Sequence, residues 1–233
     1  MIPKSDWELP HLAPNETETT QESAYFRLKN AIMVGAIPPG TALTMRGLAA
    51  RLDLSPTPIR EAIRRLSSER AVEILGNRRI QVPVMEAGRF EELIQLRIAV
   101  ETHVARRAMP YVSEVIISHL KEIDDEMDAS ISGDNFDQLT LLNHDFHRAL
   151  YEANPFQTAT PLLESIWLQL GPFQRQVVEG VQNYFVVDRH KEVLQALRDR
   201  DELSLSIAIE ADIRDGIGRA GREALVKART GTA

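Results

Sequence analysis

Polar side chains interrupt apolar helical faces at several points in the second half of this 233-residue chain. Asn143 and His147 stand four residues apart among Leu139, Leu142, Phe146 and Leu150. A helix sets such a pair on one face, as two ligands of a single ion would be. His190 lies beside Val193, Leu194 and Leu197, and Asp212 among Leu205, Ala208, Ile209 and Gly216. Imidazole with carboxylate, amide oxygen and water is a donor set suited to Zn, Ni or Mn. Arg97 and Glu101 project from the middle of a fourth stripe, formed by Phe90, Leu93, Ile94, Val100, Val104 and Ala108. Left unpaired, buried groups of this kind cost several kcal/mol. They must therefore converge on one another, on a metal or on a polar ligand. An internal Arg97–Glu101 ion pair is one such solution.

A second constellation lies nearer the N-terminus. Ser55, Thr57 and Arg60 open a helical pattern, with Arg64 one turn further along the same side. Short hydroxyl side chains and free amides at a helix start suit phosphate, and an Arg at that position reaches a base edge, most favourably guanine. The charge distribution agrees. Residues 21–84 carry ten Lys/Arg against five acids, whereas residues 85–233 carry sixteen against twenty-five, in a chain whose net charge is −7. A basic module on an acidic body implies a phosphate-bearing partner for the first part alone.

The elements that must position these groups can be read from the pattern. Residues 1–20 read as a mobile polar tail. A helix is expected over 22–34, closed by Gly35, and a turn at Ile37-Pro38-Pro39-Gly40. Thr44 caps a short helix to Leu52, and Asp53 takes the turn position, where Asp tolerates a left-handed backbone. Ser55 is an N-cap residue with Pro56 at the first helical position. The helix to Glu69 puts Ile59, Ala62, Ile63 and Leu66 on its apolar side. Alternating segments around Gly76-Asn77 then form a hairpin up to Val84. Helix, helix, turn, helix and hairpin make a winged helix-turn-helix over 21–84. After a linker at 85–88 the chain reads as an antiparallel all-helical bundle over 89–222, with helices near 87–108, 112–131, 136–153, 157–182, 187–199 and 202–222. Residues 223–233 are left as a tail. The fold class is mainly α.

The motif Gly35-x-Ile37-x-Pro39-Gly40, then Leu48-Ala49-x-x-Leu52, then Ser55-x-Thr57-Pro58-Ile59-Arg60-Glu61-Ala62-Ile63-Arg64-Arg65-Leu66 resembles the DNA-binding module of the GntR family. The resemblance implies operator contacts from Arg46, Ser55, Thr57 and Arg60, with a wing at Gly76 to Arg78. Asp53 stands where the family usually has Gly, Pro56 where it has an Arg, and Arg79 where its wing has Gly. Residues 87–222 are similar to the FadR-type C-terminal ligand-binding domain, a bundle of six or seven helices. Leu96-Arg97-x-x-x-Glu101, Asn143-x-x-Phe146-His147, His190 and the Asp201-to-Asp212 segment carry that likeness. It implies a divalent metal on Asn143, His147, His190 and Asp212, and a small carboxylate effector held with help from Arg97. Asn143 replaces the family's usual Asp and Asp212 its usual His, so the formal charge of the set is unchanged. The expected protein is a ligand-responsive transcription regulator, a homodimer placing two recognition helices on a double-stranded operator.

Other classes are weaker. There is no Cys, so thiolate metal sites and Cys nucleophiles are excluded. No apolar run approaches the ~18 residues a membrane span needs, and the first twenty residues lack the apolar segment of a signal peptide. A cytoplasmic location is expected. A metal-dependent enzyme using His147, His190 and Asp212 is the alternative. Against it, no HExxH, nucleophile elbow or phosphate-cradling Gly loop is present.

Overall fold

The structure, a computed structural model, describes residues 19–76, 79–132, 136–180 and 189–230. The expected tail before residue 19, and Asn77 and Arg78 of the hairpin turn, lie outside them. The chain forms two compact units. One holds the residues up to Met85 together with Ser165–Gln176, and the other holds Glu86–Glu164 and the residues from Val177 on.

In the first unit, α1 (Thr20–Met33) starts on a capping box in which Thr19 and Glu22 bond each other's backbone. β1 (Ala42–Leu43) leads into α2 (Met45–Leu52), where Thr44 Oγ1 accepts from Gly47 N at 3.0 Å. Asp53 closes α2 in the left-handed region, φ 56° and ψ 47°, so an L-residue does there what Gly does more cheaply. α3 (Pro56–Ser68) follows. β2 (Glu73–Leu75) and β3 (Arg79–Gln81) make the hairpin. The hairpin is joined by β1, which the sequence pattern does not announce, in an antiparallel sheet of order β1-β3-β2. Two residues are too few to show alternation. Leu28, Ile32, Ile37, Leu48, Ile59, Ile63, Leu66 and Ile80 form the core, and Leu168 from the 165–176 stretch completes it.

The second unit contains α4 (Ala87–Ala108), α5 (Glu114–Ser132), α6 (Phe136–Glu152), the ends of α7 (Thr160–Gly180), α8 (His190–Asp199), α9 (Glu202–Ile213) and α10 (Arg219–Thr230). The helix expected over 202–222 is two helices. A π-turn at Arg214–Gly218, with Gly216 at φ −75° and ψ −112°, divides α9 from α10. Gly216 carries no Cβ to hold it helical. The second helix then runs to Thr230, into the expected tail. The buried faces of α4, α5, α6, α8 and α9 meet around Phe90, Ile94, Leu120, Phe146, Val193, Leu197, Leu205 and Ile209. Among the described residues no helix is long and apolar enough to cross a membrane.

Candidate metal centre and nucleic-acid interface

The polar interruptions of the bundle helices converge. His147, His190 and Asp212 bring one ligand atom each to within 4.8 Å of the others. α6 supplies His147, α8 supplies His190 from its first residue, and α9 supplies Asp212 from its last turn. The π-turn after α9 holds Asp215, whose Oδ2 accepts from Arg189 Nε at 3.0 Å and from Arg189 Nη2 at 2.6 Å. That contact ties the residue before His190 to the segment just after Asp212, so the two ligands are fixed relative to each other.

The outer side of each imidazole is braced. Tyr151, on the same face of α6 as Asn143 and His147, donates its hydroxyl to Glu101 Oε2 at 2.7 Å. Glu101 is fully buried and accepts from Arg97 Nε at 2.6 Å. Burial opposes the Arg97 charge, but adjacent Glu101, with Asp212 and Tyr151 beyond it, holds the guanidinium pKa above its ordinary value. Glu101 is therefore a carboxylate, which only accepts, so the single phenol proton is committed to it. Burial, then the charge of Glu101, push the Tyr151 phenol well up, so that proton stays. The Tyr151 oxygen, 3.2 Å from His147 Nδ1, must accept from an Nδ1–H. His147 thus presents the bare lone pair of Nε2 inward.

That nitrogen is buried and makes no hydrogen bond, although Asp212 Oδ2 lies 3.2 Å away. A lone pair facing a carboxylate is relieved by a cation taken up between them, whether a proton or a metal ion. His190 is braced in the same way, with Nδ1 3.5 Å from Oδ1 of buried Asp124 on α5. Its Nε2 faces Asp212 Oδ1 at 3.8 Å. An imidazole whose far nitrogen rests on a carboxylate or hydroxyl is the usual setting of a metal-binding His. Burial raises the Asp212 pKa, but the close approach of His147 and His190 and the charge of Arg97 outweigh it. They hold the carboxyl well below its ordinary range, as an ionised ligand requires. The donor set fits a divalent cation.

Asn143 sits differently from the expected ligand, whereas Arg97 forms the internal ion pair with Glu101 that the pattern allowed. Asn143 does not point its amide oxygen at the cluster. Its Nδ2 lies 3.2 Å from His190 Nε2 and caps that lone pair. Arg97 is buried and bonded to Glu101 through Nε, while its two terminal nitrogens carry no hydrogen bond among the described residues. The pattern reading missed Tyr151 and Asp124. Both carried a signal. Tyr151 continues the Asn143–His147 spacing by four, and Asp124 interrupts the buried stripe of Ile117, Leu120 and Met127.

In the first unit, Ser55, Thr57, Arg60 and Arg64 are exposed on α3, as are Arg46 on α2 and Gly76 at the hairpin. Ser55 occupies the N-cap position with extended backbone, but its hydroxyl makes no capping bond. Arg64 Nη1 is 3.4 Å from Glu61 Oε2. Arg65 instead lies over the Tyr25 ring, its guanidinium 3.6 Å from the ring centre.

Residues 92–215 match the FCD domain, and residues 20–82 match the bacterial regulatory proteins of the gntR family. The chain belongs to the GntR regulators that carry an FCD domain. McbR, an HTH-type transcriptional regulator of Escherichia coli K12, is 24% identical over 75% of this chain and 80% of its own. The gluconate operon transcriptional repressor of Bacillus subtilis 168 is 23% identical over 92% of this chain and 90% of its own. The solved structure of E. coli McbR/YncC superposes with a TM-score of 0.82 at 20% identity, covering 89% of this chain and 99% of that one, and shows the same fold. This GntR regulator is a DNA-binding transcription regulator with an effector-binding domain. The enzyme alternative for His147, His190 and Asp212 is set aside, because the family and the named relatives are regulators.

Proposed function

We propose that this regulator senses a small organic acid in a metal-containing pocket and adjusts its grip on a pseudo-palindromic operator accordingly. The reading is carried by the buried, unbonded Nε2 of His147 facing ionised Asp212 inside an FCD domain. A divalent ion (Zn, Ni or Mn) is held by His147, His190 and Asp212, with Asn143 joining once its amide turns its oxygen inward. When bound, the ion supplies a Lewis-acidic point that a carboxylate can reach. Arg97 offers its terminal nitrogens to the same carboxylate while Glu101 holds the guanidinium in place. That one relative is named for the gluconate operon supports a carboxylate as the effector class.

On DNA, α3 enters the major groove with Ser55, Thr57 and Arg60 at the base edges. Arg46, Arg64 and the wing from Gly76 to Arg78 meet the backbone. A homodimer presents two such helices one helical turn apart, in the cytoplasm. The coupling is a difference in effector affinity between two arrangements of the protein.

Selection of bound duplexes from a random pool gives the operator. Anisotropy titration of that duplex, with zinc-loaded and EDTA-treated protein and a panel of hydroxy- and dicarboxylates, then tests the reading. The expected result is a pseudo-palindrome whose affinity shifts with one acid only in the metal-loaded protein. Metal-independent affinity that ignores every acid overturns it.

A further inference from the structure

A half-open groove of about 510 Å3 lies between the C-terminal half of α4 and the segment joining α6 to α7. Its size falls in the range of small-molecule sites, about 300–1,000 Å3. Three features define its chemistry. First, its lining contains His103 and Arg107, one turn apart on α4, and no acidic residue among those described, in a chain of net charge −7. Neither side chain forms an ion pair among the described residues. Second, Asn154 lines the groove at only 5% exposure. Its Oδ1 accepts from Phe156 N at 3.0 Å, and its Nδ2 donates to nothing among the described residues. That nitrogen is not among the buried unbonded side-chain atoms, so it keeps contact with solvent and is free to donate to a ligand's acceptor. Third, Phe156 and Leu162 stand 69% and 61% exposed on the rim and offer an apolar surface beside the polar groups.

We propose that this groove is a second ligand site, separate from the His147/His190/Asp212 cluster, for a small amphipathic carboxylate. The carboxylate meets Arg107 and His103, one of its oxygens accepts from Asn154 Nδ2, and its apolar body covers Phe156 and Leu162. A small ligand suits the site better than a flat partner surface, because His103, Arg107 and Asn154 line one concavity rather than a flat face. Tyr151 closes the inner wall. The same side chain braces His147, so an occupant of the groove touches the back of the metal-ligand brace. The site does not depend on the metal or on the effector reading.

The test uses full-length, 15N-labelled protein stripped with EDTA, titrated with 2-naphthoate and, in parallel, with its neutral alcohol. Expected are saturable shifts of the Asn154 side-chain amide and of backbone amides from Phe156 to Leu162. The alcohol should bind about tenfold more weakly or worse, since a charge-assisted contact is lost. Arg107→Gln should weaken the acid by a similar factor, and Leu162→Glu should abolish binding. Both positions lie at the surface, so the variants keep their fold, checked by melting temperature. The proposal fails if no shift saturates, if acid and alcohol bind alike, or if the shifts gather around His147 and His190. It also fails if the groove amides broaden with protein concentration alone, because a second copy of the chain then fills the groove. Failure of metal-dependent operator control would leave these results untouched.

Discussion

Tyr151 gives its only hydroxyl proton to Glu101 Oε2 at 2.7 Å and thereby fixes which nitrogen of His147, 3.2 Å away, faces the cluster. The phenol is a positioning group. Replacing Tyr151 by Phe removes one oxygen and leaves the ring. In metal-free protein, side-chain 15N spectra should show His147 losing its Nδ1–H tautomer while His190, braced by Asp124, keeps its own. Zinc affinity should fall about 10- to 100-fold, the usual effect of removing an outer hydrogen-bond partner. Unchanged tautomer and affinity would remove Tyr151 from the site.

Asn143 caps His190 Nε2 through its amide nitrogen, so an ion binding there would have to displace that contact. Asn143→Asp supplies an acceptor-only group and a second negative charge at ligand distance. Competition dialysis should show zinc bound at least about tenfold more tightly, since one added charge there is worth several kcal/mol before desolvation.

Arg97→Ala is a poor probe of effector binding, because it strands Glu101, fully buried, without its partner. Denaturant titration should show a loss of about 3–5 kcal/mol. The paired change Arg97→Met with Glu101→Gln leaves no buried charge unpaired. It should keep fold and operator affinity while abolishing the response to the organic acid.

Arg60 is exposed at the start of α3 with no ion pair among the described residues. Arg60→Ala should cost about 1–3 kcal/mol of operator affinity and relax preference at one base position. Arg46→Ala should weaken all duplexes alike and flatten the salt dependence. Footprints show which occurs.

The cap of α9 gives a pH signature. Asp201 accepts from Ser204 Oγ at 2.7 Å and from the amides of Ser204 and Leu203, and these bonds hold its carboxyl below the ordinary value. A depressed folded-state pKa contributes stability fully above the unfolded value, near 3.9, and loses it as pH falls through the folded one. Asp201→Ala should lower the melting temperature by a few degrees at pH 7, and the gap should close in strong acid.

The recognition helix and its cap position were legible because α3 obeys a single strong period. Ile59, Ala62, Ile63 and Leu66 are all buried, and Thr57, Arg60 and Arg64 are all exposed. The convergence of His147, His190 and Asp212 was legible for the opposite reason, as polar residues breaking an apolar period. What stayed hidden was whatever period cannot express. One case is the two-residue β1. Another is the π-turn at Arg214–Gly218, set by backbone angles at Gly216. A third is the orientation of the Asn143 amide, a choice between oxygen and nitrogen that depends on a neighbour 47 residues away.

The stretch Ser165–Gln176 of α7 belongs with the winged unit. Leu168 fills its core, and Ser165 Oγ donates to the Glu69 carbonyl at 3.2 Å. A Cβ at Gly171 would collide with the Met33 carbonyl, so α1 and this stretch touch backbone to backbone. The DNA-reading head is therefore no removable cassette. A fragment ending near Met85 would bare the seam where α1 rests, and a chimera built from residues 20–85 would need to borrow a helix lying eighty residues downstream.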